Sequence, residues 1–465
     1  MEKGRFRGDR RFYRSVLRIA VPIMVQGFFT NLVNLLDNLM VGRVSTVEMT
    51  GVAVANRFIF ITNLLFFGVY SGAGIFGAQF YGSRDREGLK NCFRFKLVFG
   101  GLAALLCILV LYFGGDALVD LYLKGKGDAQ DIIGTHRVAR QYLNISLIGL
   151  IPYNISCSLA SSLRETGKTK PPMRASVAAV LTNLVLNTVL IFGLCGFKPL
   201  GAVGAAIATV ISRFVELGLL CLWSGRHLQE AEFLQGLWVR FRIPGSLVKK
   251  ILLKGLPVAV NELAWATGVA AIDQCYSLRG LTVVSALNIV SVFSNLMEVA
   301  FVSLGNATGI MLGERLGAGE LERAKEEARW FRSLAFVIGL VTGAVFALLA
   351  GWIPLLYKTE PEVRSMATSM ILMVSLAFPL LAFWHNCYYI LRSGGNVVLT
   401  ALADSGFVCL FQYPLALALV HFTALPILPL FAVIQAVTLI RAAIGGILAE
   451  KGVWVNRLVG PDEKE

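Results

Sequence analysis

Charge is scarce in this sequence. Of 465 residues only 15% are Asp, Glu, Lys or Arg, where a soluble chain carries about 25%. Histidine is scarcer still: His136, His227, His385 and His421 are scattered along the chain and gather no metal-ligand spacing. The eight cysteines contain no C-x-x-C pair and mostly sit inside apolar runs, so they read as small packing residues rather than disulfide or metal partners. P-loop, nucleophile elbow and metal-spaced His/Cys sets are all missing, which leaves enzymatic chemistry without support. The formal net charge of +14 does not point to nucleic acid either, because the basic residues follow a topological alternation instead.

What the sequence has in abundance is apolar length. It is 56% hydrophobic, with a mean hydropathy of +0.68. Phe58 to Phe80 and Leu97 to Gly115 carry no charge at all, and Ser15 to Val41 carries one Arg and one Asp. About 20 apolar residues cross a bilayer core, so these runs are membrane spans. Counting on gives an all-α membrane protein of about twelve helices, near 15–41, 48–79, 97–115, 138–162, 173–195 and 202–223, then 248–277, 283–313, 333–356, 366–391, 397–421 and 426–448. The first apolar segment is longer than the about 7–15 residues of a secretory leader, and no small-residue cleavage site follows, so it reads as the first span. Most Lys and Arg fall in the N-terminal tail, the even-numbered connections and the C-terminal tail. Lys/Arg-rich segments stay cytoplasmic, which predicts an inner-membrane, multi-pass chain with both termini inside. The tail Met1–Arg18, with Lys3, Arg5, Arg7, Arg10, Arg11, Arg14 and Arg18, is a topology determinant on this reading.

The long connection near 224–247 divides the chain into an N-terminal six-helix bundle (1–223) and a C-terminal one (248–465). Its run from Leu228 to Ile243 is expected to lie flat as an amphipathic surface helix. A shift of 235 places Pro22 on Pro257, Gly74-Ile75 on Gly309-Ile310, Gly82 on Gly317, Asp85 on Glu320, Glu87 on Glu322, Lys90 on Lys325 and Arg94 on Arg329. A shift of 228 places Leu163-Arg164-x-x-Gly167 on Leu391-Arg392-x-x-Gly395. Six spans per half make the halves enter from the same side, so two parallel six-helix bundles related by a pseudo-twofold along the membrane normal are expected. That is the architecture of a secondary transporter working by alternating access.

Several segments carry a family resemblance. Leu36-Asp37-Asn38-Leu39-Met40-Val41-Gly42 resembles the first-helix signature of MATE (multidrug and toxic compound extrusion) transporters. Gly77-Ala78-Gln79-Phe80-Tyr81-Gly82 is similar to the end of their second helix, and Arg164 to Pro171 (RETGKTKP) to the loop after their fourth. Leu200 to Thr209 (LGAVGAAIAT) is similar to the start of their sixth. Gly317-Ala318-Gly319 and Leu391-Arg392-Ser393-Gly394-Gly395 fit the pattern in the second half. The resemblance implies an antiporter that exports amphiphilic, often cationic compounds in exchange for H⁺ or Na⁺. Flippases for lipid-linked oligosaccharides share the superfamily and are the alternative, with an uncoupled channel as a further one.

An ionisable residue inside a span is a functional-site candidate. In the first half this is Asp37, with Asn34 and Asn31 expected on its helical face; the resemblance implies a functional Asp at this position. Asn183 and Asn187, one turn apart, offer amide oxygens to a hard cation or amides to a carboxylate. Cation-binding relatives carry Asp where this chain has Asn187, and Thr209 matches a position near their site. The second half offers Glu262 beside Trp265, suited to an organic cation, together with Asp273, Glu298 and Asp404. The span arginines Arg57 and Arg213 are expected to pair locally. Asp85, Arg164, Glu320 and Arg392 are expected to pin helix ends or gate the cytoplasmic mouth. No cofactor beyond the coupling ion is expected, and the partners are a small organic substrate, the coupling cation and the bilayer, with the monomer as the working unit.

Overall fold

The computed structural model describes residues 8–124, 129–194, 196–239 and 241–460. Lys3, Arg5 and Arg7, and the side chains at positions 34, 35, 38, 39 and 129, lie outside the described residues, so the expectations for Asn34 and for the start of the tail are not addressed. Among the described residues the chain is helical without a strand: α1 Arg10–Gly42, α2 Thr46–Gly82, α3 Arg86–Leu123, α4 Ala129–Ile148, α5 Leu150–Glu165, α6 Lys170–Phe192, α7 Gly201–Arg226, α8 Gly245–Ser277, α9 Leu281–Gly317, α10 Leu321–Leu349 and α11 Pro361–Ser393. Two further spans, α12 (Val397–Phe422) and α13 (Ile427–Glu450), follow. Among the described residues eleven helices are long and apolar enough to cross a membrane, and α4 with α5, bent by 48°, makes a twelfth if the pair is one span. Gly149 sits at the break, and Pro152 supplies no N–H to the first turn of α5. The predicted fourth span is therefore a broken one.

The duplication is visible in the element bounds. Adding 235 to the ends of α1 and α2 gives the ends of α8 and α9, and Pro22 and Pro257 lie inside α1 and α8. Many helices outrun the bilayer: α3 is 38 residues long, ~57 Å at about 1.5 Å per residue. Its charged first turns, from Arg86 to Lys96, extend beyond the predicted 97–115 span.

The chain divides into two compact units. One, the N unit, comprises Val25–Gly77 and Asp85–Gly255; the other, the C unit, comprises Met1–Met24, Ala78–Arg84 and Leu256–Glu465. The N unit packs Val41, Val52, Phe66, Leu111, Leu143 and Ile191 around its centre. In the C unit one cluster joins α8, α9, α11, α12 and α13 through residues such as Tyr276, Phe301, Phe378 and Phe431. A second takes in the start of α1: Phe12 packs edge-on to Trp330 and Phe331 at 5.1 and 4.9 Å, with Val16 and Ile19 behind it. Within the C unit the ends of α2 and α9 cross closely. A Cβ on Gly82 would strike the Glu314 carbonyl, and one on Gly317 the Gln79 carbonyl, so the repeated glycine serves backbone approach at both positions.

The segment after α7 is not the surface helix expected over Leu228–Ile243. It is a series of turns with one 3₁₀ turn, Glu232–Leu234. Its apolar residues do not line one helical face: Leu228, Trp238, Val239 and Phe241 are exposed, and others are buried singly. Phe233 packs on Phe93 with ring centres 4.8 Å apart, and Leu237 is also buried. The buried Arg94 guanidinium donates to the carbonyls of Leu237 (3.0 and 2.8 Å) and Val239 (2.9 Å), fastening the segment to α3.

Candidate functional site

Six helices of the N unit, α1, α2, α4, α5, α6 and α7, place polar residues around a cavity of about 580 Å³. α1 contributes Gln26, Thr30, Val33 and Asp37, a spacing of three and four that forms one helical stripe. Asn31 lies off that stripe. α5 contributes Tyr153, Cys157, Ala160 and Arg164, and α7 contributes Thr209, Arg213 and Glu216. The small residues of α7 allow α6 to approach: Gly204 faces the Leu190 backbone, where a Cβ would come within 2.8 Å of the carbonyl. That approach brings Asn183 and Asn187 of α6 beside Thr209.

At the Asp37 end, Asn187 Nδ2 donates to Asp37 Oδ1 at 2.6 Å and to Asn183 Oδ1 at 3.1 Å. Asn183 Nδ2 donates to Thr209 Oγ1 at 3.2 Å. In this arrangement the Asn183 oxygen also stands 3.2 Å from both Asp37 oxygens, oxygen against oxygen. Turning the amide lets it donate to Asp37 and accept from the Thr209 hydroxyl, but then faces its nitrogen against Asn187 Nδ2 at 3.1 Å. Neither orientation satisfies all three neighbours, and Asn187 Oδ1 is buried without a partner. The cluster therefore has acceptors to spare, and a proton or a small hard cation among them would relieve the conflict. Four of the five first-half candidates (Asp37, Asn183, Asn187 and Thr209) meet here.

At the other end Arg213 Nη1 reaches Glu216 Oε2 at 3.5 Å, and its guanidinium lies 4.5 Å from the centre of the Tyr153 ring. Arg213 thus pairs locally, as expected, but does so on the cavity wall. Arg164 also lines the cavity, with Nε on its own helix carbonyl of Ala160 at 3.2 Å. The same unit holds a buried ion pair that the sequence reading missed. Lys96 Nζ lies 2.6 Å from both Glu165 oxygens and 2.9 Å from Ser162 Oγ, with the lysine 0% and the glutamate 6% exposed. Gly74 and Gly77 of α2 press against that glutamate.

The second-half candidates do not form one cluster. Asp404 is buried and salt-bridged to Arg441, while Asn261 Nδ2 donates to its other oxygen at 2.8 Å. Two π-turns, Leu402–Gly406 and Val408–Gln412, carry α12 past this point, and Asn261 Oδ1 accepts the Ser405 N–H at 3.2 Å. Arg441 lies 4.7 Å from the Trp384 ring centre. Glu262 accepts from the Tyr388 hydroxyl at 2.9 Å. Trp265 is exposed on α8, as is Asp273, and half-buried Glu298 makes no hydrogen bond among the described residues. Arg441 is a further base within a span, in addition to Arg57 and Arg213, and its signal was plain: an arginine inside an apolar helix needs a carboxylate.

At the loop positions, Asp85 Oδ1 accepts the Gly88 N–H at 2.9 Å and caps α3. Glu320, its repeat partner, instead bridges Arg315 at 3.0 Å and Arg323 at 3.6 Å. Arg392 lies over Tyr388 and Tyr389 at 5.9 and 5.7 Å. Among the described residues there is no group of three or more His, Cys, Asp or Glu that could hold a metal.

The model of the MatE family matches residues 22–189 and again residues 259–439. The chain belongs to the MATE family. Among curated relatives, the probable multidrug resistance protein YoeA of Bacillus subtilis is 25% identical over 418 residues, covering 90% of this chain and 89% of YoeA. Multidrug resistance protein MdtK of Yersinia pseudotuberculosis is 28% identical over 368 residues, 78% of each chain. A solved structure of an outward-facing multidrug resistance MATE family transporter of the MOP superfamily overlays with a TM-score of 0.84 at 20% identity, covering 96% of both chains. This MATE chain is a multi-pass, all-helical membrane protein with the MATE fold. The family model matches it twice in tandem, once in each half.

Proposed function

We propose that this MATE chain is an efflux antiporter that exports amphiphilic, cationic organic compounds in exchange for H⁺ or Na⁺ by alternating access. The observation that carries the reading is the Asp37 cluster: a carboxylate inside a span, met by amides and a hydroxyl with oxygens to spare, in the wall of a cavity of about 580 Å³. Entry of the coupling cation or proton at Asp37 would pull Asn183, Asn187 and Thr209 together and reshape the cavity. Coupling then requires only that the two facing states differ in affinity for ion and substrate. The names of the multidrug resistance relatives support the export of drug-like compounds. The same reading puts the chain in the inner membrane with both termini cytoplasmic and halves at 1–223 and 248–465, and it works as a monomer. In the second half Glu262, Trp265, Glu298 and Asp273 meet substrate or cation at separate places, Asp404 being held by Arg441, and Asp85, Arg164, Glu320 and Arg392 hold or gate the inner mouth.

The test is efflux of a cationic rhodamine ester from reconstituted vesicles under separately imposed Na⁺ and pH gradients. One of the two gradients is expected to drive extrusion, and Asp37→Asn is expected to abolish it. Full gradient-driven efflux by D37N would remove Asp37 from the mechanism. The lipid-linked oligosaccharide flippase calls for a predominantly basic cavity, whereas Arg164 and Arg213 are here balanced by Asp37 and Glu216.

A further inference from the structure

The connection that follows α7 ends in residues the packing of the N unit does not use. Leu237 is buried, but Trp238 and Val239 next to it are 75% and 72% exposed, and Phe241 is exposed as well. Trp454, in the C unit, is 0% exposed and donates its indole N–H to the Ala449 carbonyl at 2.9 Å. Trp238 instead stacks on Phe241, with ring centres 5.6 Å apart and planes 17° from parallel. The pair is supported from beneath. The buried Arg94 guanidinium lies 5.4 Å from the Phe241 ring centre while donating to the carbonyls of Leu237 and Val239. Two stacked aromatic rings are thus held on the outside of the unit by a buried cation.

Their depth follows from α3. The uncharged run of that helix begins at Leu97, three residues after Arg94, ~4.5 Å along the axis at about 1.5 Å per residue. Beyond it α3 exposes Leu102, Leu105, Leu106 and Leu109, the face a bilayer covers. The carbonyls that Arg94 holds therefore lie in the headgroup layer, about 5–8 Å thick on each side of the core, where Trp and Tyr collect. The charge is as one-sided as the exposure. From Trp238 to Gly255 the chain carries Arg240, Arg242, Lys249, Lys250 and Lys254 and no Asp or Glu. The acids upstream are already matched, Glu230 to Lys168 at 2.5 Å and Glu232 to Arg86 at 2.9 Å. Arg242 and Lys249 are exposed, and with Lys254 they are in no ion pair among the described residues.

We propose that Trp238 and Phe241 insert among the headgroups and that Arg242, Lys249 and Lys254 bind anionic lipid there, so that the connection between the halves is a lipid-binding anchor of the N unit. An aromatic pair alone suits any bilayer; the acid-free basic run selects a negative one, each basic residue near the surface being worth about fivefold in affinity. An acidic soluble protein would answer the charges but not the depth of the rings. The surface lies outside the cavity, and the export reading does not enter the argument.

The full chain in phosphatidylcholine nanodiscs tests this, with part of the lipid replaced by a phospholipid brominated near the top of its chains. The brominated lipid is phosphatidylglycerol in one series and phosphatidylcholine in the other. Trp238 emission is read as the difference between the wild type and Trp238→Phe, which removes one of seven tryptophans, and bromine in contact quenches it. Both lipids are expected to quench, phosphatidylglycerol at a mole fraction lower by about fivefold or more, the effect of one or more engaged basic residues. Arg242→Gln, Lys249→Gln and Lys254→Gln together are expected to bring the two lipids to within about twofold of each other. Lys249→Gln alone, expected to shrink the preference severalfold, serves if the triple variant does not fold. Trp238 emission that neither lipid quenches but aqueous acrylamide does overturns the anchor and makes the surface one for a soluble partner. Equal quenching by the two lipids in the wild type, or a preference that survives the substitutions, overturns the anionic site. The measurement reads no transport, so its failure leaves the export reading standing, and failure of driven efflux leaves this inference standing.

Discussion

Asp37 in the N unit and Asp404 in the C unit are both carboxylates within spans, and their surroundings differ in kind. Asp404 is closed off by Arg441 and Asn261 beside the Trp384 ring. Among the described residues Asp37 is in no ion pair; amides meet it, and a cavity opens in front of it. Taking a carboxylate out of water is costly unless charge and hydrogen bonds return. Asp404 has that return built into the protein. Asp37 has only part of it, which on the proposed reading leaves the rest to the coupling ion. Two acids that look alike in the sequence are a strut and, on that reading, a receptor.

The sharpest break in the comparison is Arg441→Met, which strands Asp404 as a buried charge. It is expected to cost about 3–5 kcal/mol, read as a large fall in thermal stability in detergent, with Asp404→Asn in the same chain restoring most of it. Wild-type stability in R441M would mean that Asp404 is not held by that pair. Lys96→Met should do comparable damage by orphaning Glu165, at about 3–5 kcal/mol, and adding Glu165→Met should return stability to near that of the wild type. Next comes a contrast between the segments that close the two halves. Trp454 is 0% exposed and Trp238 is 75% exposed. Trp454→Ala is expected to cost about 3–5 kcal/mol, and Trp238→Ala to stay within about 0.5 kcal/mol; equal losses would undo the contrast. The smallest stability change of all is expected for Asp37→Asn, within about 0.5 kcal/mol, even though it abolishes driven efflux. A large loss of stability in D37N would make Asp37 a strut as well.

Much of the fold was legible because membrane spans write themselves as long apolar runs, and the repeat because a shift of 235 aligns the loop after α2 with the loop after α9. Asp37, Asn183, Asn187 and Thr209 were legible for the same reason: a polar residue in an apolar helix must answer to another. The bend at Gly149 was not, since a broken and a continuous span have the same composition. The helix expected over Leu228–Ile243 failed because an apolar pattern does not say whether its residues share a face or are buried one by one, as Phe233 and Leu237 are. Arg213, Glu216 and the Lys96–Glu165 pair depend on which helices touch, which no window along the chain contains. One further repeat went unnoticed. Gly236-Leu237-Trp238-Val239 returns as Gly452-Val453-Trp454-Val455, each opening on a glycine with positive φ, 63° and 68°. Its shift is 216, so an alignment tuned to 235 passes over it.

The placement of the first helix has a consequence for the order in which the protein can be made. Val25–Gly77 and Asp85–Gly255 supply the whole N unit from the first part of the chain. Phe12, Val16 and Ile19 belong to the C unit, and their partners Trp330 and Phe331 are more than three hundred residues away. At a synthesis rate of about 5–20 residues per second, the opening turns of the chain wait ~15–60 s for their partners to be translated. Residues translated ahead of the whole N unit are thus among the last to find their packing, and until then an apolar stripe on α1 must be kept by the bilayer surface or by whatever machinery attends insertion.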